Sequence, residues 1–257
     1  MSIDFAYAQA RAQARLGERL PESGWRLLES TLSLPQFLTS ARNTVLAPRV
    51  RHLSGAVAPH AIERTLRDDW RTEVAAVSRW MPEPWLSAVT WTTWLPYLDS
   101  VAWLMREEAV LEWMRHDAIL SELAFDDVAA RRLAIIESPL SPLTGQDSPE
   151  DLQAHWLDRW MALLPSMSDD ETTGFRALVD AVSRYRDSTS RRDASRSAQR
   201  DARATLAKRA THLIHCHAEE PVVVFSYLVL VALDLQRLRY GLLRRSLFRD
   251  QPGEIAA

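Results

Sequence analysis

Residues 220–248 read EPVVVFSYLVLVALDLQRLRYGLLRRSLF. This is the most apolar stretch of the chain, and its character changes halfway. From Val222 to Leu235 nearly every side chain is aliphatic or aromatic. From Gln236 onward Arg237, Arg239, Arg244 and Arg245 alternate with Leu238, Leu242, Leu243 and Leu247. Pro221 suits the first turn of a helix, where its missing N–H costs nothing. The arginines near the far end suit the negative pole of the helix dipole. The uninterrupted apolar run is about 14 residues, and a membrane span needs roughly 20. The expectation is one long helix, buried all round in its first half and one-sided in its second. Such a helix has to be wrapped by others, and the rest of the chain reads as the wrapping.

No period-two strand pattern persists anywhere, so the predicted fold is all-α. The 257 residues are enough for one large core or two small ones. Only 7 glycines disfavour phosphate-cradling glycine loops. The net charge of −3 is uninformative, but its distribution is uneven. Ten acidic residues and three arginines lie between positions 107 and 150, against nine basic and three acidic residues between 184 and 209. Cys216 is the single cysteine, which fits a reducing compartment. The first residues, MSIDFAYAQARAQARLG, carry no apolar signal core. Any membrane contact is therefore expected to be peripheral.

The helices can be read in order. Asp4 is a candidate N-cap for a helix over residues 5–20, with Phe5, Ala8, Ala12 and Leu16 on one side. Trp25, Leu27 and Leu28 begin a short helix, and Ser33-Leu34-Pro35 opens another with Phe37 and Leu38 inward. Residues 60–81 form a long amphipathic helix whose stripe is Ile62, Leu66, Trp70, Val74, Val77 and Trp80 or Met81. Pro82-Glu83-Pro84 breaks the chain. Trp91, Trp94, Leu95 and Leu98 sit at i, i+3, i+4, i+7 and read as core. Short helices are expected at 108–114 and 119–123 with Asp117 as a cap, then one from Asp126 or Asp127 to Ile136.

Residues 138–149 are the longest clear loop and the expected boundary between helical subdomains 1–137 and 150–257. Ser148 reads as the N-cap of a helix through Trp156 and Trp160, and Pro165 ends it. Ser168 with Glu171 forms a capping box for a helix carrying Phe175, Leu178, Val179 and Val182. Residues 185–208 read as an exposed, charge-laced helix or linker.

The string Glu220, Pro221, Val222, Tyr227, Asp234, Leu235, Leu238, Arg239 resembles the last core helix of one family. That family is the rotor-cap component of V-type and archaeal-type rotary ATPases. Tyr7, Arg11 and Arg15 similarly resemble its opening helix. Val231 and Ala232 stand where the family usually carries Lys-Glu. The resemblance covers the two ends of the chain, leaves the middle unassigned, and goes with a shorter length than is usual. It implies a funnel-like assembly of pseudo-repeated helical subdomains on the cytoplasmic face of the membrane. There the protein would join the proteolipid c-ring to the central stalk and perform no chemistry itself.

No Walker A loop, Gly-x-Gly-x-x-Gly, His-Glu-x-x-His or Gly-x-Ser-x-Gly occurs. No catalytic residue, bound cofactor or nucleic-acid partner is expected. Two alternatives stay open: a helical scaffold of another complex, and a metal-binding helical enzyme centred on His212, His215 and Cys216. Those three lie close together just before the long helix and have ligand chemistry suited to zinc.

Overall fold

The structure is a computed structural model that describes residues 5–144, 149–190 and 195–248. Every regular element among them is helical. The chain divides into two compact units. The first comprises Met1–Pro82 with Ser166–Ala257, and the second is the intervening Glu83–Pro165.

The first unit holds α1 (Ala6–Gly17), α2 (Glu22–Glu29), α3 (Leu34–Arg42), α4 (Ala47–Val50) and α5 (Pro59–Ser78). The second holds α6 (Leu86–Trp91), α7 (Leu98–Met105), α8 (Glu112–Arg115), α9 (Val128–Glu137) and α10 (Pro149–Ala162). The chain then returns to the first unit with α11 (Asp169–Ser190), α12 (Arg196–Cys216) and α13 (Val222–Leu247).

α13 is the predicted long helix and the axis of the first unit. Pro221 sits directly before its first residue, and Arg244 and Arg245 occupy its last turn. All seven positions from Val222 to Leu228 are buried, so no face of these two turns meets water. α1, α3, α5, α11 and α12 pack against it. Phe225 meets Phe175 of α11 edge-on at 5.3 Å, and Tyr227 meets Trp80 at 5.8 Å. Past Leu235 the helix becomes one-sided. Leu238 and Leu242 are fully buried, while Gln236, Arg239, Tyr240, Arg244 and Leu247 are exposed. Each buried leucine contributes about 1.5–3 kcal/mol of transfer free energy.

The α5 stripe is as expected: Ile62, Leu66, Trp70, Val74 and Val77 are buried, and Trp80 and Met81 continue it. Ser33 closes a capping box with Gln36 at the start of α3. Ser168 does so with Glu171, whose backbone N–H donates to Ser168 Oγ at 3.3 Å while Ser168 N–H donates to the carboxylate at 2.8 Å. In α11 the inward phase is Phe175, Leu178 and Ala181, leaving Val182 outside. The predicted caps Asp4 and Ser148 lie outside the described residues.

The second unit is built of shorter helices around Trp85, Tyr97, Leu104, Met114 and Leu120, all nearly inaccessible. Asp117 caps as expected, its carboxylate accepting from the N–H groups of Ile119 and Leu120. Asp127 caps α9. The helix predicted over 108–114 is only the short α8, and that predicted over 119–123 is a 3-10 turn at Leu120–Glu122.

The 91–98 segment does not present the expected continuous stripe. It winds as a 3-10 helix from Thr92 to Tyr97 with Pro96 inside. Three residues per turn shift the phase, so Trp91 and Leu98 are buried while Leu95 is turned outward. Trp156 and Trp160 stack at 6.4 Å, and Trp91 Nε1–H donates to the Trp156 carbonyl at 3.0 Å.

The division at 138–149 is not the observed one. Leu140 and Leu143 are fully buried, and a 3-10 turn spans Ser141–Leu143. Apolar anchors make residues 138–144 part of the second unit's core, and the chain changes units after Pro82 and after Pro165.

Gly241 is the one glycine inside α13, and it is there for space. A Cβ at this position would stand 2.8 Å from Cζ of Phe37, a ring only 1% exposed. Alanine in place of glycine ordinarily strengthens a helix by about 1 kcal/mol. Here overpacking of about 1–3 kcal/mol opposes it, so Gly241→Ala should lower the melting temperature; a rise would show that Phe37 moves freely.

Candidate functional site

Five polar side chains of α13, Tyr227, Asp234, Arg237, Arg239 and Arg245, form a seam, each held by a helix of the N-terminal half or the turn that follows one. Tyr227 donates its hydroxyl to Glu73 of α5 at 2.6 Å. Arg49 Nη2 lies 3.9 Å from the same carboxylate. Burial and then the Glu73 charge push the Tyr227 phenol well above its usual range, so it stays a donor. Two turns on, Asp234 takes a two-pronged contact from Arg19, with Nε at 2.7 Å and Nη2 at 2.8 Å. This fork geometry is the strong form of an ion pair. Arg239 grips Glu63 of α5 at 2.6 Å.

Two further arginines turn inward. Arg237 bridges Glu29 at 2.5 Å and Glu22 at 2.6 Å, both from α2, and its guanidinium lies 4.9 Å over the Trp25 ring. Burial alone would weaken its charge. The hydrogen bonds to Glu29 and Glu22 outweigh that and hold it above the ordinary arginine value. The same bond keeps the Glu22 carboxyl below its usual range. Arg203 of α12 sits behind this group, and burial followed by the Arg237 charge pulls it down. Arg245 donates to the carbonyls of Thr31, Glu29 and Gly241 at 2.6, 3.0 and 2.8 Å and stacks over Phe37 at 4.6 Å. It therefore caps the free carbonyls at the end of α2, as a cation near a helix C-terminus should.

The residues carrying the resemblance are thus unequal in setting. Tyr227, Asp234 and Arg239 belong to the seam, and Leu238 is fully buried on the same helix. Glu220 accepts from His217 at 2.8 Å in the turn before α13, beside Pro221. Arg11 lies 5.5 Å over the Trp80 ring, the partner of Tyr227. Arg15 pairs loosely with Glu18 at 3.9 Å, and Tyr7 is 59% exposed. Val231, at a position where the resembled family usually carries a charged residue, is buried.

His212 and Cys216 come together at 3.5 Å on the exposed side of α12, with His215 exposed as well. Among the described residues no group of three or more His, Cys, Asp or Glu is close enough to hold a metal ion. No helix among them is long and apolar enough to cross a membrane.

Reading the sequence by its local patterns assigns no role to Arg237, Arg245 and their partners. A signal did exist. Glu22, Trp25 and Glu29 fall on one face of α2, and Arg237 and Arg245 share the phase of Leu238 and Leu242. Charges in a buried phase require partners, but only the fold says which.

Asp69 is the uncompensated group beside the seam. Its Oδ2 is buried without a hydrogen bond, as is Nη1 of Arg49. Burial pushes its carboxyl up to about 6 from an ordinary 3.8, against the pull of Arg49. Between those values the folded chain binds the proton and the unfolded chain does not. Stability from this group is therefore full below about pH 4 and lost as pH rises through about 6. Asp69→Asn should raise stability near pH 7, by at most about 3 kcal/mol, and change little at pH 4, as read by denaturant melts at both. Arg237→Ala should cost about 2–3 kcal/mol, because it removes a buried stem and frees two carboxylates that water can partly reach. No known family model and no curated protein matches the chain.

Proposed function

We propose that the chain is a non-catalytic component of a V-type or archaeal-type rotary ATPase, seated between the proteolipid c-ring and the central stalk. The observation that carries this reading is the fate of the family-like polar residues. Tyr227, Asp234 and Arg239 stand along α13, and each is pinned at 2.6–2.7 Å to Glu73, Arg19 or Glu63. Transmitting torque needs a body that does not shear. A buried rod cross-tied at several heights by charge-assisted hydrogen bonds resists sliding and rotation against its neighbours better than apolar contact alone. In this reading the helical units form the funnel-like cap, the protein is peripheral on the cytoplasmic face, and ATP is handled by partner proteins.

A second reading is a helical scaffold that uses the same fold in another assembly. Val231 and Ala232 favour it, because they remove the charged pair that the family usually carries after the tyrosine.

Purification of the tagged chain from native membranes separates the two. The rotary reading expects the proteolipid, stalk and catalytic components to come with it. It further expects loss of the chain to abolish ATP-driven ion transport while ATP hydrolysis by the soluble motor persists. Recovery of an unrelated assembly would overturn it.

A further inference from the structure

A helix on a protein surface ordinarily turns polar residues outward, and α9 does not. Arg131 and Ile135 face inward, each 3% exposed. Ala129, Leu133 and Ile136 follow i, i+4, i+7 on the other side. All three are exposed, Leu133 by 54% and Ile136 by 55%. Hydrogen bonds fix this outer side in place. Arg131 donates to the Phe125 carbonyl at 2.9 Å and to the Glu108 carbonyl at 2.7 Å, which ties the start of α9 to the turn after α7. In that turn Glu107 takes a left-handed backbone (φ 62°), and its carboxylate engages Arg132 of α9.

The charge left over in this segment is negative. Arg132 already meets Glu107, and Arg115 already meets Asp126. Asp127 and Glu137, at the two ends of α9, are exposed and meet no cation among the described residues. Glu137 is the last residue of α9, where the helix dipole is itself negative, and no basic side chain stands in the last turn. A cation supplied from outside would answer both that carboxylate and the free carbonyls beside it. Residues 145–148, which follow the turn packed on α9, read Gly-Gln-Asp-Ser and offer no apolar side chain to this face.

We propose that the outer side of α9 docks a basic amphipathic helix of a partner protein, with the partner's apolar stripe on Ala129, Leu133 and Ile136 and its cations at Asp127 and Glu137. Helix against helix suits the shape. The 10 residues of α9 offer a ridge about 15 Å long, with Ala129 small enough for close approach. Charge selects the occupant. Antiparallel pairing with α9 of a second copy would set Asp127 beside Glu137, and parallel pairing would set each acid beside its like. An anionic bilayer would be repelled by the same acids. The proposal goes beyond the rotary reading and does not depend on it, since it concerns the purified chain and a peptide alone.

Fluorescence anisotropy tests it, using the intact chain and a labelled peptide of about four helical turns with leucines at i, i+3, i+4, i+7 and lysines elsewhere. Binding should weaken as salt is raised, and the counterpart with glutamates for lysines should not bind. A peptide of the same composition with its leucines spread round the helix should bind at least about tenfold more weakly. The double substitution Leu133→Ser with Ile136→Ser should reduce affinity at least about tenfold, and Glu137→Lys about threefold or more. These positions are exposed, so melting temperature and helical signal should be retained. Leu32→Ser, at a 90% exposed position of the first unit, should bind like the parent chain. Absence of lysine-peptide binding overturns the proposal, as does equal binding of either control peptide or an equal loss in Leu32→Ser. A dimer seen in sedimentation that the double substitution dissolves would give the face to a second copy and overturn it too.

Discussion

A guanidinium carried into the interior has to find carboxylates or carbonyls there, and α13 carries two. Arg237 and Arg245 lie on the same side of the helix as Leu238 and Leu242, so burying the leucines drags the charges inward. The cost of stripping water from a cation is several kcal/mol unless it is met by well-placed acceptors. α2 supplies them, with Glu22 and Glu29 on either side of Trp25, and with its own terminal carbonyls for Arg245. The register of α2 against α13 follows from that demand. An apolar contact surface would tolerate several registers, whereas a two-carboxylate clamp tolerates one.

The same logic runs up the helix. Asp234 needs Arg19, Arg239 takes Glu63, and Tyr227 takes Glu73. These contacts span 154 to 215 residues of sequence. They join the last helix to the first third of the chain, which is why the first unit is assembled from both ends of the sequence while residues 83–165 form a unit of their own. The apolar half of α13 provides most of the burial, and the polar half decides where each neighbour sits.

Not every polar group is satisfied. Asp69 and Arg49 each leave a buried atom without a partner, close to the Glu73–Tyr227 contact. Ser226 Oγ and Gln9 Oε1 are also buried without a partner, but only here do two unsatisfied groups of opposite charge stand together, which makes this the least settled point of the seam. It is also a place where folding stability responds to pH.

Much of the fold was legible. The stripe of α5, the long buried α13, the Ser33 and Ser168 caps and the Asp117 and Asp127 caps all follow from local rules, because they depend on residues within one or two turns of each other. Misreadings fell where a turn changed its winding or where burial was decided by remote contacts. Pro96 and the tryptophans around it wind as a 3-10 helix, so a 3.6-residue count lost phase. Leu140 and Leu143 turned a proline-rich stretch into core. Composition and periodicity alone determined that the chain is helical, that residues 222–247 form its central rod, and that the rod's second half has one wet face. Only the tertiary structure decided which charges of that half are buried, and that Glu22, Glu29, Arg19, Glu63 and Glu73 answer them. The reason is physical: helical period is a property of neighbouring residues, whereas pairing of a buried charge is settled by whatever the chain brings within about 3 Å from some 200 residues away.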